Sequence, residues 1–217
     1  IKLQTLDPHA FVRPSDAARL AQMERFALPA EAHERVRELA HAEGLAFLST
    51  PLDLGSVDVL EPLVDAFKIA SGDNDIPQLL ERVADTRKPM IISSGMSDLA
   101  GVRWAKVTVE RRWSELGHDG ELAVLHCVSA YPAPIEAARL ATIPLLAAEL
   151  GCTVGYSDHT LGIDACVAAA AAGARILEKH VTLRHDFSEF RDHQLSADPD
   201  ELAELVMRVR EVERLLG

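Results

Sequence analysis

Short apolar runs alternate along this chain with longer stretches whose apolar residues recur at helical spacing. The runs that read as strands are Ile1–Thr5, Leu45–Ser49, Ala66–Ala70, Met90–Ser93, Leu122–Val128, Thr153–Tyr156 and Arg175–Glu178, each a few residues long and bounded by turn or polar residues. Between them the spacing predicts helices over Ala30–His41, Ile76–Ala84, Leu99–Leu116, Leu140–Leu150, Ile163–Ala172 and Asp200–Leu216. In the last of these, Leu202, Leu205, Val206, Val209, Val212 and Leu216 fall on one face, Pro199 stands near the start and Gly217 ends the pattern. Strict strand–helix alternation means parallel strands joined by crossover helices. No linker, low-complexity tract or shift in composition divides the chain, so residues 1–217 read as a single domain.

Two α/β arrangements fit that pattern. An open doubly wound sheet normally carries a glycine-rich phosphate loop after its first strand, and none follows Thr5. A (β/α)8 TIM barrel instead places polar residues at the C-terminal end of nearly every strand, because its site is assembled from those ends. This sequence does so with Lys2 and Gln4, Ser49-Thr50, Lys68 and Ser71, Ser93-Ser94, His126 and Ser129, Ser157-Asp158-His159, and Glu178-Lys179-His180. The barrel is therefore the expected fold. Seven strands are visible where a closed barrel has eight, and the chain opens without Met on Ile1-Lys2-Leu3-Gln4-Thr5. The expectation is a barrel lacking its first strand–helix unit.

Composition narrows the function. At 217 residues, with 48% hydrophobic and 26% charged positions, the chain is of ordinary globular make-up. Its formal net charge of −12 argues against nucleic acid or an anionic membrane surface as partner. The longest apolar stretch, Ala165–Ala174, is too short to span a bilayer. Cys127, Cys152 and Cys166 form neither a disulfide framework nor a zinc ribbon, which fits a reducing cytoplasm.

Candidate chemistry gathers at the strand ends. Lysine is scarce, five residues against seventeen arginines, yet Lys2 and Lys68 both interrupt apolar strands. Each is either a rim residue whose ammonium reaches solvent or a barrel carboxylate, or, with Ser71, Ser93 and Ser94, part of a phosphate or carboxylate pocket. His159 and His180 follow successive strands, which would set two imidazoles side by side. That pattern suits a divalent metal, with Glu178, Asp158 or Asp192 as oxygen ligand or support; the alternative is that the rings merely hydrogen-bond polar groups at the mouth. His126 lies deeper, as a third ligand or, the preferred reading, a packed core histidine. His9, His33, His41 and His118 are assigned no role. Tyr131-Pro132-Ala133-Pro134 reads as a stiff loop, either a structural turn or one that aims the Tyr131 hydroxyl inward. Cys127 reads as a small buried hydrophobe rather than a nucleophile.

Taken in order, Lys2-Leu3-Gln4-Thr5, Ser49-Thr50-Pro51, Phe67-Lys68-Ile69-Ala70-Ser71-Gly72, Ser93-Ser94-Gly95-Met96, His126-Cys127 with Tyr131-Pro132-Ala133-Pro134, Gly155-Tyr156-Ser157-Asp158-His159-Thr160-Leu161-Gly162 and Glu178-Lys179-His180 resemble the sialic acid synthase family. The resemblance covers essentially the whole chain, and the SDHTLG and EKH elements are its specific part. It implies condensation of phosphoenolpyruvate with the open-chain aldehyde of an N-acylated sugar of the N-acetylmannosamine type, giving a nine-carbon 2-keto acid and phosphate. It implies manganese or magnesium on His159 and His180, with Lys2, Lys68 and Glu178 also counted among the catalytic positions. Lys2, Thr50, Lys68, Ser71, Ser93, Ser129 and Ser157 match positions that hold phosphoenolpyruvate, while Gln4, Asp73, Tyr131 and Asp192 match positions that face the sugar.

The sequence also departs from the family. Asp73 stands where Glu is usual, and Glu189-Phe190-Arg191-Asp192-His193 replaces a segment that usually carries Pro-Gly-Pro before its Asp-His. Relatives making legionaminic or pseudaminic acid or spore-coat sugars share the core motifs, which leaves the acceptor open. A strand with Glu-Ile-Gly and Asn-His motifs, expected ahead of Ile1, and a C-terminal antifreeze-like domain swapped across a homodimer are absent from this chain. The competing readings are another phosphoenolpyruvate-dependent aldol-type synthase with a phosphorylated aldose, and a non-catalytic barrel scaffold.

Overall fold

Every strand in the computed structural model, which describes residues 1–217, is followed by helix. The chain divides into two units, residues 1–92 with 103–122, and residues 93–102 with 123–217.

In the first unit β1 (Lys2–Thr5), β2 (Leu48–Pro51) and β3 (Ala66–Ile69) run parallel in chain order, with β4 (Met90–Ser93) beside β3. Alternation along these strands separates two faces. Phe67, Ile69, Met90 and Ile92 turn to one face and join a core with Leu60, Leu79, Leu80, Val83, Val109 and Trp113, from helices α4 (Leu54–Leu60), α5 (Pro77–Asp85) and α6 (Leu99–Glu115). The Trp113 indole N–H donates to the Ala84 carbonyl at 3.1 Å, which satisfies its polar end inside that core.

Several features here differ from the pattern read in the sequence. Residues 8–26 form two helices, α1 (Pro8–Phe11) and α2 (Ala17–Phe26), capped by the Asp7 and Asp16 side chains. Only Met23 of these helices is buried, so no apolar period marks them. The expected strand at Leu45–Ser49 begins instead at Leu48. Gly44, at φ +71°, closes α3 (Ala30–Ala42), and the Leu45 N–H returns to the Ala40 carbonyl at 2.8 Å, so the apolar run starts as a helix exit. His33, assigned no role above, is buried: Nε2 lies 2.8 Å from Thr5 Oγ1 and Nδ1 lies 3.0 Å from the Pro29 carbonyl, pinning α3 to β1.

In the second unit β5 (Leu122–Cys127), β6 (Thr153–Asp158) and β7 (Leu177–Lys179) are parallel, with Leu125 opposite Gly155 and Ser157 opposite Glu178. Val124, Val154 and Tyr156 face a core built with Ile143, Leu146 and Leu150 of α7 (Thr142–Leu150), Cys166 and Ala169 of α8 (Asp164–Ala171), and Leu205 of α10 (Pro199–Leu216). Between α8 and α10 lies the short α9 (Asp192–Leu195). Helix α10 starts at a capping box in which Asp198 and Glu201 satisfy each other's backbone N–H. Glycine at 155 is a packing requirement: a Cβ there would stand 2.3 Å from the Ile176 carbonyl oxygen. No helix is long and apolar enough to cross a membrane.

Candidate active site

The polar strand ends of the first unit share a face. Gln4 is the register partner of Thr50, and strand alternation sets Lys2, Gln4, Thr50 and Lys68 on the side opposite the core residues Phe67 and Ile69. Lys68 is 3% exposed, and its ammonium donates to the Ile69 carbonyl at 3.0 Å. Burying an ammonium is costly unless polar groups meet it, and the Ile69 carbonyl is one that does. Thr50 is buried beside it in sequence order of strands, whereas Gln4 is exposed. Ser71 and Asp73 lie in the loop after β3; burial first, then the Asp75 charge, pushes the Asp73 carboxyl above its ordinary value.

The second unit gathers the rings. His159 and His180 have centroids 5.5 Å apart, Tyr131 stacks on His159 at 4.1 Å, and it meets His180 edge-on at 6.3 Å. Tyr131 is delivered by the proline loop, whose Tyr131–Pro132 bond is cis. Alternation explains why these side chains converge: Ser157 and Glu178 are register partners on one face, and the histidines that follow each by two positions continue that face. The Ser157 hydroxyl donates to Glu178 Oε1 at 2.7 Å. Ser93 is buried and Ser129 exposed.

The donor set fits a divalent cation. His159 Nδ1 lies 2.9 Å from the Val128 carbonyl, which can only accept, so Nδ1 carries the proton and Nε2 keeps its lone pair for a ligand. Burial works against the His159 imidazolium, but the hydrogen bonds to Cys127 and Val128 outweigh it and hold the ring above its ordinary value. Asp192 Oδ1 is buried with no hydrogen-bond partner, and Arg191 Nε stands 3.5 Å from it. Burial, with Cys127 and Asp192 assisting, pushes the Tyr131 hydroxyl up to about 12, so it remains a protonated donor.

The three expected oxygen ligands sort differently. Asp158 turns to the face opposite the imidazoles and pairs with Lys179 at 2.8 Å, which removes it from the metal candidates. Glu178 and Asp192 stay with the rings. His126 follows the core reading: it shares its face with Tyr156, and its Nε2 bonds the Ala138 carbonyl at 2.7 Å. Two features were missed from sequence, the Asp158–Lys179 pair and the Arg191 guanidinium, whose carbon sits 5.1 Å from the Tyr131 ring centre. A separate group, His185, Asp198 and Glu201, brings donor atoms within 4.8 Å. Its carboxylates serve the α10 capping box, at a helix end whose dipole opposes a cation.

The NeuB family model matches residues 1–217. The chain belongs to the NeuB family. It is 38% identical over 205 residues to the N,N'-diacetyllegionaminic acid synthase of Legionella pneumophila, a match covering 94% of this chain and 57% of that protein. An uncharacterised protein of Methanocaldococcus jannaschii is 47% identical over 193 residues, covering 88% of this chain and 55% of its own length. The chain thus spans somewhat more than half the length of these relatives. Among solved structures, the N-acetylneuraminic acid synthetase of Leptospira borgpetersenii aligns at a TM-score of 0.92 and 28% identity, covering 100% of this chain and 73% of that one. The fold shown is α/β with seven parallel strands.

Proposed function

We propose that the whole protein, as a (β/α)8 barrel enzyme, condenses phosphoenolpyruvate with an N-acylated aldose of the N-acetylmannosamine type. The products are a nine-carbon 2-keto sugar acid and phosphate. The observation that carries this reading is the stacked Tyr131–His159–His180 group beside Glu178 in a NeuB-family chain. In the reaction a C–C bond forms between C3 of the enol and the aldehyde carbon, the aldehyde oxygen takes up a proton, water adds at C2, and the C2–O bond to phosphate breaks.

His159, through Nε2, and His180 would hold Mn2+ or Mg2+, with Glu178 or Asp192 supplying oxygen. Such an ion acts as a Lewis acid on a carbonyl oxygen. The chain's own groups do the remaining work. Lys2 and Lys68 provide positive charge, and Thr50, Ser71, Ser93, Ser129 and Ser157 provide hydroxyls, for the phosphoenolpyruvate anion, preorganised toward charge that shifts to the departing phosphate. The Tyr131 hydroxyl, kept protonated, donates to the sugar. Asp192 Oδ1, buried without a donor of its own, accepts from a sugar hydroxyl, and Gln4 and Asp73 complete that side.

The test is phosphate release by the full-length protein. Release should require phosphoenolpyruvate, an N-acylmannosamine-type sugar and Mn2+ together, and replacing His159 with Ala should abolish both turnover and bound manganese. A full-length protein silent with every such sugar, or a His159→Ala variant with unchanged metal content, would overturn the reading.

A further inference from the structure

We propose that the buried Asp158–Lys179 ion pair is a positioning device that holds His159 and His180 in register and fixes the His159 tautomer. The proposal rests on the reading of those two histidines as the reacting end of the second unit. Asp158 closes β6, Lys179 closes β7, and the two are register partners. Each immediately precedes one of the imidazoles. Their side chains are 0% and 3% exposed, and they lie on the opposite face of the strands from the rings, toward α8.

The hydrogen bonds radiating from the pair bracket His159. Asp158 Oδ1 accepts from the Tyr156 hydroxyl at 3.1 Å and from the Thr160 backbone N–H at 2.9 Å. Oδ2 accepts from the Lys179 ammonium at 2.8 Å and from the Cys166 thiol at 3.5 Å. Lys179 also donates to the Thr160 carbonyl at 2.6 Å. Both backbone groups of the residue after His159 are therefore tied to the pair, and the residue before it is one member of the pair. The same ammonium anchors the residue before His180. Neither imidazole can shift along its strand without breaking charge-assisted bonds on the far face.

Stability alone is a poor reason for such a pair. Two desolvated charges do about as well as, or worse than, a well-packed apolar pair of similar volume. What an apolar pair lacks is the set of directional bonds to Thr160. The Nδ1 proton of His159 stays on the Val128 carbonyl only while the His159 backbone is held where these bonds put it.

The experiment compares the full-length wild type with the Asp158→Asn/Lys179→Met double variant, which removes both charges at similar volume. Three quantities are read: the thermal midpoint without metal, the imidazole tautomers by long-range 1H–15N NMR without metal, and the Mn2+ dissociation constant. The expected double variant melts near wild type, loses the single Nδ1-protonated state of His159, and binds Mn2+ about 10- to 100-fold more weakly, the usual range when support behind a metal ligand is removed. A double variant with the wild-type melting point, tautomer and Mn2+ affinity would leave the pair a purely structural fastening and overturn the proposal. Should the double variant fail to fold, Tyr156→Phe decides: it keeps the ring and the pair and deletes one bond to Asp158. A several-fold loss of Mn2+ affinity with partial tautomer mixing supports the positioning role, and no change in either refutes it. If the wild type itself binds no Mn2+, the metal part of the proposed function falls, while the tautomer comparison still decides this proposal.

Discussion

Two groups of opposite charges in this chain obey different rules. On α6, Arg111 and Arg112 meet Glu115 one turn on, and reach Glu81 and Asp85 of α5, in solvent where these side chains are between a third and a half exposed. At the ends of β6 and β7, Asp158 and Lys179 meet with almost no exposure. The first group raises the guanidinium pKa values of residues that were charged anyway, so little follows from the contact. The second has left water altogether, and every lone pair and proton it presents must be answered from within the fold. Tyr156, Thr160 and Cys166 supply those answers. The lesson is that a pair's consequence is set less by its separation, 2.5–3.1 Å in one group and 2.8 Å in the other, than by what else holds it.

The largest effect should come from removing one buried partner. Lys179→Met alone leaves Asp158 charged, dry and unpaired, and breaking such a pair typically destabilises by about 3–5 kcal/mol. Urea unfolding should show that loss, and adding Asp158→Asn should recover most of it. A single variant as stable as the double would mean water reaches the carboxylate, and the contrast with α6 would collapse. Gly155→Ala tests the same region through sterics. The new Cβ would press on the Ile176 carbonyl and on Leu125 Cδ2, at 2.3 and 2.6 Å, so β7 must move off β6. Overpacking of this kind usually destabilises by about 1–3 kcal/mol. Because the network needs β7 seated, crystals or NMR of the variant should show a displaced Lys179; an unmoved Lys179 would show that the network does not depend on that close approach.

The same contrast explains what was readable from the sequence. The α6 pairs follow i,i+3 and i,i+4 spacing, and β4 at Met90–Ser93 carries its apolar run on the residues that form the strand. The convergence of His159 with His180, and of Lys2 with Lys68 on one face of their strands, follows from alternation once the strands are placed. Asp158 with Lys179 follows from the same alternation, one position earlier on each strand and on the opposite face. Considering Asp158 as a ligand weighed its nearness to His159 in the chain over the alternation that turns adjacent strand residues to opposite faces. Short helices held by caps rather than by an apolar stripe, α1, α2 and α4, were invisible for a different reason: their stabilising contacts are single Asp side chains at Asp7, Asp16 and Asp53, not a period. The start of β2 was misplaced because Leu45 is apolar yet 55% exposed, serving the exit of α3.

The smallest effect completes the comparison. Arg112 donates to Asp85 at 2.5 Å and to Glu115 at 3.1 Å, contacts that on distance alone look stronger than Lys179 with Asp158. Its guanidinium is raised first by the hydrogen bond to Asp85 and then by Glu115, but it is protonated at every accessible pH, in the folded and unfolded chain alike, so the shift adds no pH dependence. Arg112→Ala frees Asp85 and Glu115 to solvent rather than stranding them, and water answers them as the guanidinium did. The urea midpoint of this variant should coincide with wild type within error, and raising the salt should leave the difference unresolved. A loss approaching that of Lys179→Met would mean that the α5–α6 carboxylates are far drier than their exposure indicates, and that depth is not what separates the two groups.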